Sequence, residues 1–150
     1  MKKEAIYMDS CCFNRPYDDP STDMVRLESE AVLTIIDRGE HKQWDIFGSD
    51  VLVDEIDRIT DTIKKEKVFA LYNSTTANIE TNEVIISRAK ELHTANLKPF
   101  DALHIASAEY GKADVFLTTD KRLINAAKRV SIKVKVSNPA IWLMEVLYNE

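Results

Sequence analysis

Glycine is scarce in this chain, with three in 150 residues. Phosphate loops of the GxGxxG and GxxxxGK kinds need clustered glycines so that backbone N–H groups can approach a nucleotide, and both are excluded. Cysteine is nearly absent too. Cys11 and Cys12 are adjacent, cannot readily bridge each other, and make no disulfide framework. Their spacing also fails the pattern of a zinc site, so they are expected as buried thiols beside the first strand. No apolar run approaches the roughly 20 residues that span a bilayer. The start Met1-Lys2-Lys3-Glu4 lacks the apolar stretch of a signal peptide. A cytoplasmic location with no membrane partner is therefore expected. No internal repeat or low-complexity linker divides the sequence, so a single domain over residues 1–150 is expected.

Positive charge is in short supply overall, with a net charge of −5, which at first argues against a nucleic-acid partner. Its distribution weakens that objection. Up to Asp61 there are 15 acidic and 7 basic residues; from Lys112 to Lys135 there are 7 basic (Lys112, Lys121, Arg122, Lys128, Arg129, Lys133, Lys135) against Asp114 and Asp120. A local basic face holds phosphates whatever the total charge, and an acidic pocket suits a divalent ion. The same basic residues also read as solvated helix surface.

What is present is an alternation of strand and helix signals. Ala5-Ile6-Tyr7-Met8 is a short apolar run ending in Asp9-Ser10, followed by a polar loop from Asn14 to Asp23. Val25 to Ile36 carries apolar residues at helical spacing and stops near Arg38-Gly39. Trp44 to Phe47 is a second strand. Ser49 or Asp50 caps a helix whose stripe is Leu52, Ile56, Ile59 and Ile63. Further helices are expected to about Tyr72, then from about Thr81 with Val84, Ile85, Ala89 and Leu92, then from about Phe100. A strand Val115–Thr118, a helix around Leu123–Ala127, a strand Val134–Val136 and a helix after Pro139 complete the chain. Alternating β and α elements point to a mostly parallel sheet with helices on both faces.

Four carboxylates stand out against this frame. Asp9 and Asp120 follow apolar strands, where open α/β sheets place their ligands. Asp101 lies on a helix apolar nearly all round and shares a face with Ile105 and Ala108, about 100° being turned per residue. Glu55 falls roughly 60° from the buried stripe of its helix, while Asp54 and Asp57 face away. Buried unpaired charge costs several kcal/mol, and crowded acids raise one another's pKa unless a cation relieves them. Four such carboxylates suit Mg²⁺ or Mn²⁺ better than zinc, and an acid-bound Mg²⁺ suits phosphodiester hydrolysis. Each acid also has a plainer reading: Asp9 as a turn cap, Asp101 as a helix-dipole acid, Asp120 at N1 behind a Thr119 cap, Glu55 paired with Arg58. His104 reads as a packed histidine supporting the acids, since a metal-activated water needs no such base. Arg15, Lys121 and Arg122 are candidates for phosphate contacts, and Trp142 for a core or dimer anchor.

These pieces carry a family resemblance. Met8-Asp9-Ser10, Val51-Leu52-Val53-Asp54-Glu55-Ile56, Asp101-Ala102-Leu103-His104-Ile105-Ala106-Ser107-Ala108 and Leu117-Thr118-Thr119-Asp120-Lys121-Arg122-Leu123 resemble, in order, the motifs of PIN-domain ribonucleases. The likeness is to the VapC-like toxins of toxin–antitoxin pairs. The block beginning at Asp101 is the most specific. The resemblance implies a three-layer α/β/α fold and a metal site of Asp9, Glu55, Asp101 and Asp120, supported by the hydroxyls of Ser10 and Thr118. It also implies Mg²⁺- or Mn²⁺-dependent endonucleolytic cleavage of RNA, a homodimer, and inhibition by a cognate antitoxin. The Pro- and Asp-rich segment Cys11–Asp23 is longer than the family's usual turn. Two alternatives keep the same residues: a PIN-like nucleic-acid-binding or scaffold module without turnover, and a phosphate-accepting receiver-like domain. The second leaves Glu55 and Asp101 on helices unexplained.

Overall fold

Short runs of three to five residues, fully apolar only at Ala5–Met8 and Val115–Leu117, form the strands, and longer 3.6-periodic stretches form most of the helices between them. The computed structural model describes residues 3–150, so Met1 and Lys2 of the charged start lie outside the described residues. Among the described residues there are five strands: β1 (Ala5–Met8), β2 (Asp45–Ser49), β3 (Ala77–Ile79), β4 (Val115–Leu117) and β5 (Lys135–Ser137). They form one sheet in the order β3-β2-β1-β4-β5, and all four ladders are parallel. The helices are α1 (Ser10–Asn14), α2 (Asp23–Glu40), α3 (Asp50–Asp57), α4 (Thr62–Tyr72), α5 (Glu83–Thr94), α6 (Pro99–Tyr110), α7 (Lys121–Ala127) and α8 (Pro139–Tyr148). Sequence order runs outward from β1 to β3, then returns to β4 and β5. Right-handed crossovers in opposite directions put helices on both faces, which is the expected three-layer α/β/α architecture.

The two central strands are fully buried. Ile6, Tyr7, Met8, Val115, Phe116 and Leu117 are all at most 1% exposed, as strands covered on both faces must be. Trp142 also belongs to the core, its ring edge-on to Trp44 at 5.3 Å.

The structure departs from the expected elements in several places. The stripe Leu52, Ile56, Ile59, Ile63 does not make one helix, because Asp61 accepts N–H bonds from Ile63 and Lys64 at 3.1 Å and starts α4 afresh. Ile63 is consequently exposed, as is Val84 on α5. The segment expected as a loop from Asn14 instead follows α1 with a 3₁₀ turn, Arg15–Tyr17, before α2 begins behind its Thr22 cap. β3 was not expected at all; its exposed Ala77 and Asn78 carry little apolar signal. Of the two thiols, Cys12 is buried and Cys11 only partly so, and both are free.

Gly48 marks a close approach between β2 and α4. A Cβ there would fall on the Tyr72 hydroxyl and lie 2.9 Å from Tyr72 Cζ. That hydroxyl accepts the Ser49 N–H at 3.0 Å. Gly48→Ala is therefore expected to destabilise by about 1–3 kcal/mol, readable as a lower urea midpoint with an unchanged m-value.

Candidate active site

The strand order changes direction between β1 and β4, whose last residues Met8 and Leu117 are paired. Crevices of this kind, beyond the carboxyl ends of the strands, are where open α/β sheets bind ligands. Asp9 and Thr118 are the next residues of the two chains. Asp9 N–H donates to Leu117 O at 2.9 Å, prolonging the ladder by one bond. Its carboxylate is held from both sides: Oδ1 accepts the Ser10 N–H at 2.7 Å, and Oδ2 accepts the Thr118 hydroxyl at 3.0 Å. Asp9 is 6% exposed. Burial, then the charge of Glu55, raise its pKa against the pull of His104, Thr118 and Ser10.

Asp120 stands two residues beyond Thr118. Its N–H donates to Thr118 Oγ1 at 3.1 Å. Its Oδ1 accepts from Arg122 N–H at 2.9 Å and more weakly from Leu123 N–H at 3.4 Å, so it is itself the N-cap of α7. Asp9 likewise caps α1. The capping reading of Asp9 thus holds in geometry, whereas Asp120 is not an N1 acid behind Thr119 but takes the cap position itself.

Glu55 enters from α3, half-buried, with Asp54 and Asp57 exposed on its flanks. Its Oε1 accepts the Ser10 hydroxyl and the His104 Nε2–H, the latter at 2.9 Å. Arg58 pairs with Asp54 rather than Glu55, at 3.4 Å. Burial works to raise the Glu55 pKa, but the His104 hydrogen bond and charge, then Ser10 and Arg58, hold it below the ordinary range. His104 is 0% exposed. Burial alone would lower its pKa, and the Glu55 hydrogen bond with the charges of Asp9, Glu55 and Asp101 raises it instead. Its Nε2 also lies 3.8 Å from Asp9 Oδ1.

Asp101 comes from the first turn of α6, behind Pro99 at a helix start where proline is well tolerated. Its pKa is raised to about 6, first by burial, then by the charges of Asp9 and Asp120, with Glu55 adding and His104 opposing. Asp101 therefore feels the charges of Asp9, Asp120 and Glu55 together. One carboxylate oxygen each of Asp9 and Glu55 and a ring nitrogen of His104 lie within 4.8 Å of one another. Among the described residues neither Asp101 nor Asp120 belongs to that tight, metal-sized group. Among the described residues His104, charged only when protonated, is the basic side chain within ion-pair distance of Asp9, and no ion pair is made by Asp101 or Asp120. The donor set is carboxylate oxygen and the charge balance is negative, which fits a hard divalent cation. His104 is a poorer candidate ligand, since its Nδ1 is 2.6 Å from the Tyr7 hydroxyl and its Nε2 is engaged by Glu55.

The candidate phosphate-contacting residues divide. Lys121 and Arg122 are exposed at the start of α7 beside Asp120. Arg15 is turned elsewhere: its guanidinium lies 3.0 Å from both Asp18 and the buried Glu28. The contact to Glu28 lacks hydrogen-bond geometry, leaving Nε without a hydrogen-bond partner among the described residues. With its charge spent on two carboxylates, Arg15 is a tie between the 3₁₀ turn and α2 rather than a free anion contact. The buried Tyr7, whose hydroxyl reaches His104 Nδ1, and Ser49, which bonds that hydroxyl, were missed by sequence reasoning. The available signal was a tyrosine in the middle of a fully apolar strand. Arg58, expected beside Glu55, lies 5.1 Å over the Phe100 ring.

A protein-family model described as PIN domain matches residues 22–129. The chain belongs to the PIN domain family. The matched span carries Glu55, Asp101 and Asp120 and begins after Asp9. No curated protein matches this PIN domain by sequence. Among solved structures it is similar to VapBC2 from Rickettsia felis bound to a DNA fragment from their promoter, with 14% identity and TM-score 0.59. That match covers 89% of this chain and 98% of the other. PAE2754 from Pyrobaculum aerophilum is similar too, with 14% identity and TM-score 0.55, over 97% and 90% of the two chains. At that identity the likeness is one of fold.

Proposed function

We propose that this PIN domain is a Mg²⁺- or Mn²⁺-dependent endoribonuclease and the toxin component of a toxin–antitoxin pair. What supports the reading is the close grouping of Asp9 and Glu55 with His104, together with Asp101, whose carboxyl is pushed to about 6 by burial and the charges of Asp9, Asp120 and Glu55. Asp9, Asp101 and Asp120 would hold the ion, with Glu55 completing the ring. A bound Mg²⁺ supplies Lewis-acid polarisation of the phosphate and a water acidic enough to react near neutral pH. The protein's own residues do the rest. Ser10 and Thr118 fix the directions of the Glu55 and Asp9 carboxylates; Glu55 accepts a hydrogen bond from the attacking water and orients it. Lys121 and Arg122 draw in the RNA backbone, which is where most of the affinity for a nucleic acid resides.

Partner and context follow from the same reading. One of the similar folds belongs to a VapBC2 complex, which supports a cognate antitoxin as partner here. Residues 1–150 act as one PIN domain, as a homodimer, in the cytoplasm; no described helix is long and apolar enough to cross a membrane. Incubation with RNA in Mg²⁺ should give fragments with 5′-phosphate and 3′-hydroxyl ends. Undiminished cleavage in EDTA, or fragments with cyclic phosphate ends, would refute the reading. The double variant Lys121→Ala/Arg122→Ala should weaken RNA binding across sequences and flatten its log–log salt dependence by about 1–2. Filter binding at several salt concentrations measures this.

A further inference from the structure

We propose that Tyr7 is a positioning residue for Glu55: its hydroxyl holds His104 Nδ1 and so keeps the His104 Nε2–H aimed at that carboxylate. The functional readout rests on the nuclease reading above; the geometry stands apart from it. Tyr7, Ser49 and His104 are each 0% exposed. The Tyr7 hydroxyl lies 2.6 Å from His104 Nδ1 and 2.7 Å from Ser49 Oγ. Ser49 Oγ accepts the Leu52 N–H at 3.0 Å and thereby caps α3, the helix that carries Glu55. His104 Nε2 closes the circuit on Glu55 at 2.9 Å. The ring thus joins β1, the end of β2, α3 and α6. Three of these bear or adjoin an acid: Asp9 is two residues past Tyr7, Glu55 lies on α3, and Asp101 is three residues before His104.

Packing does not account for the hydroxyl. The Tyr7 ring stacks on Phe116 at 5.4 Å, and a phenylalanine would make the same contact. A buried hydroxyl without a task is a liability, since an unpaired one has lost its water and gained nothing in exchange. Its use here lies in being both donor and acceptor. A neutral imidazole offers Nδ1 as an acceptor when Nε2 carries the proton, and the phenol then donates to it. A charged imidazole offers Nδ1–H, and the phenol then accepts. Ser49 adjusts in turn. In either state Nε2–H points at Glu55, whereas the other neutral tautomer would set a bare lone pair against the carboxylate. Supporting groups of this kind typically contribute 10–100-fold to metal affinity or activity.

The test combines imidazole ¹⁵N NMR with a double-variant cycle. In the unaltered protein the His104 signals should show a proton on Nε2; a proton on Nδ1 with a bare Nε2 overturns the proposal. Tyr7→Phe, which keeps the ring, should weaken Mn²⁺ affinity and lower kcat by about 10–100-fold while leaving KM for RNA little changed. His104→Gln keeps an amide N–H near the Nε2 position but has nothing for the phenol to hold. Adding Tyr7→Phe to His104→Gln should therefore cost nothing further. A folded Tyr7→Phe protein with full Mn²⁺ affinity, or an undiminished Tyr7→Phe penalty in the His104→Gln background, overturns the proposal. An unaltered protein that binds no Mn²⁺ and cuts no RNA overturns the nuclease reading and the functional half of this one. The nitrogen signals still decide the geometric half.

Discussion

Asp9→Asn and Asp101→Asn should each lower RNA cleavage in Mg²⁺ by about 10²–10³-fold or more, the scale of removing one preorganised electrostatic group from an active site. Asparagine keeps the shape and one oxygen of each side chain. In Asp9→Asn the amide oxygen can still accept the Ser10 N–H or the Thr118 hydroxyl, but the net charge that draws a divalent ion is lost. The solvent-facing Asp54, one residue from Glu55 on α3, is the control: Asp54→Asn should leave the rate unchanged. Circular dichroism and thermal melts should show both active-site variants folded. Stability in the metal-free state should if anything increase, because each substitution removes a member of a mutually repelling set. Equal rates for Asp9→Asn and the unaltered protein would be incompatible with a site at the β1–β4 crevice.

A second large effect should appear in metal-free stability as a function of pH. Asp101 has a folded pKa of about 6 against an ordinary 3.8. A carboxyl raised on folding binds its proton more tightly in the native state, so its stabilising contribution is complete below about pH 4 and is lost as pH rises through 6. Asp101 is only half-buried, and water screens the penalty to about 1 kcal/mol. In EDTA, Tm should therefore be lower at pH 8 than at pH 4 by about 2–4 °C on account of this group. Mg²⁺ should reverse the trend. At 100 times its Kd an ion bound only by the native state contributes about 2.7 kcal/mol, or about 5–10 °C for a chain of this size. The gain should be larger at pH 8, where no proton competes for Asp101. A melt insensitive to both EDTA and Mg²⁺ across that range would remove the reason for grouping these acids.

Much of this arrangement was legible in the sequence because its signals are local. Strand exits at Asp9 and Asp120 follow apolar runs, Glu55 sits at a computable angle from a buried stripe, and Asp101 lies in a helix with no polar face. The parallel direction of the strands follows from alternation, though their order in the sheet does not. What was not legible depends on partners distant in sequence. Arg15 was a candidate for phosphate contact, yet the buried Glu28 on α2, which accepts from Asn138 at 2.6 Å, lies 3.0 Å from it and claims its charge. β3 has only Ile79 to bury, and its place at the sheet edge beside β2 is set by tertiary pairing. The break after Asp57 shows a capping aspartate prevailing over a four-residue apolar stripe. Tyr7 was visible as a letter, but its role needs Ser49, 42 positions away, and His104, 97 positions away.

The most direct measurement is calorimetric titration of Mn²⁺ into the metal-free protein at pH 8, alongside Asp9→Asn, Asp101→Asn and Asp54→Asn. Saturable Mn²⁺ binding is expected in the unaltered protein and in Asp54→Asn, and affinity at least about tenfold weaker in the two crevice variants. Equal affinity in all four proteins, or no binding in any, would show that these carboxylates do not meet around a shared ion.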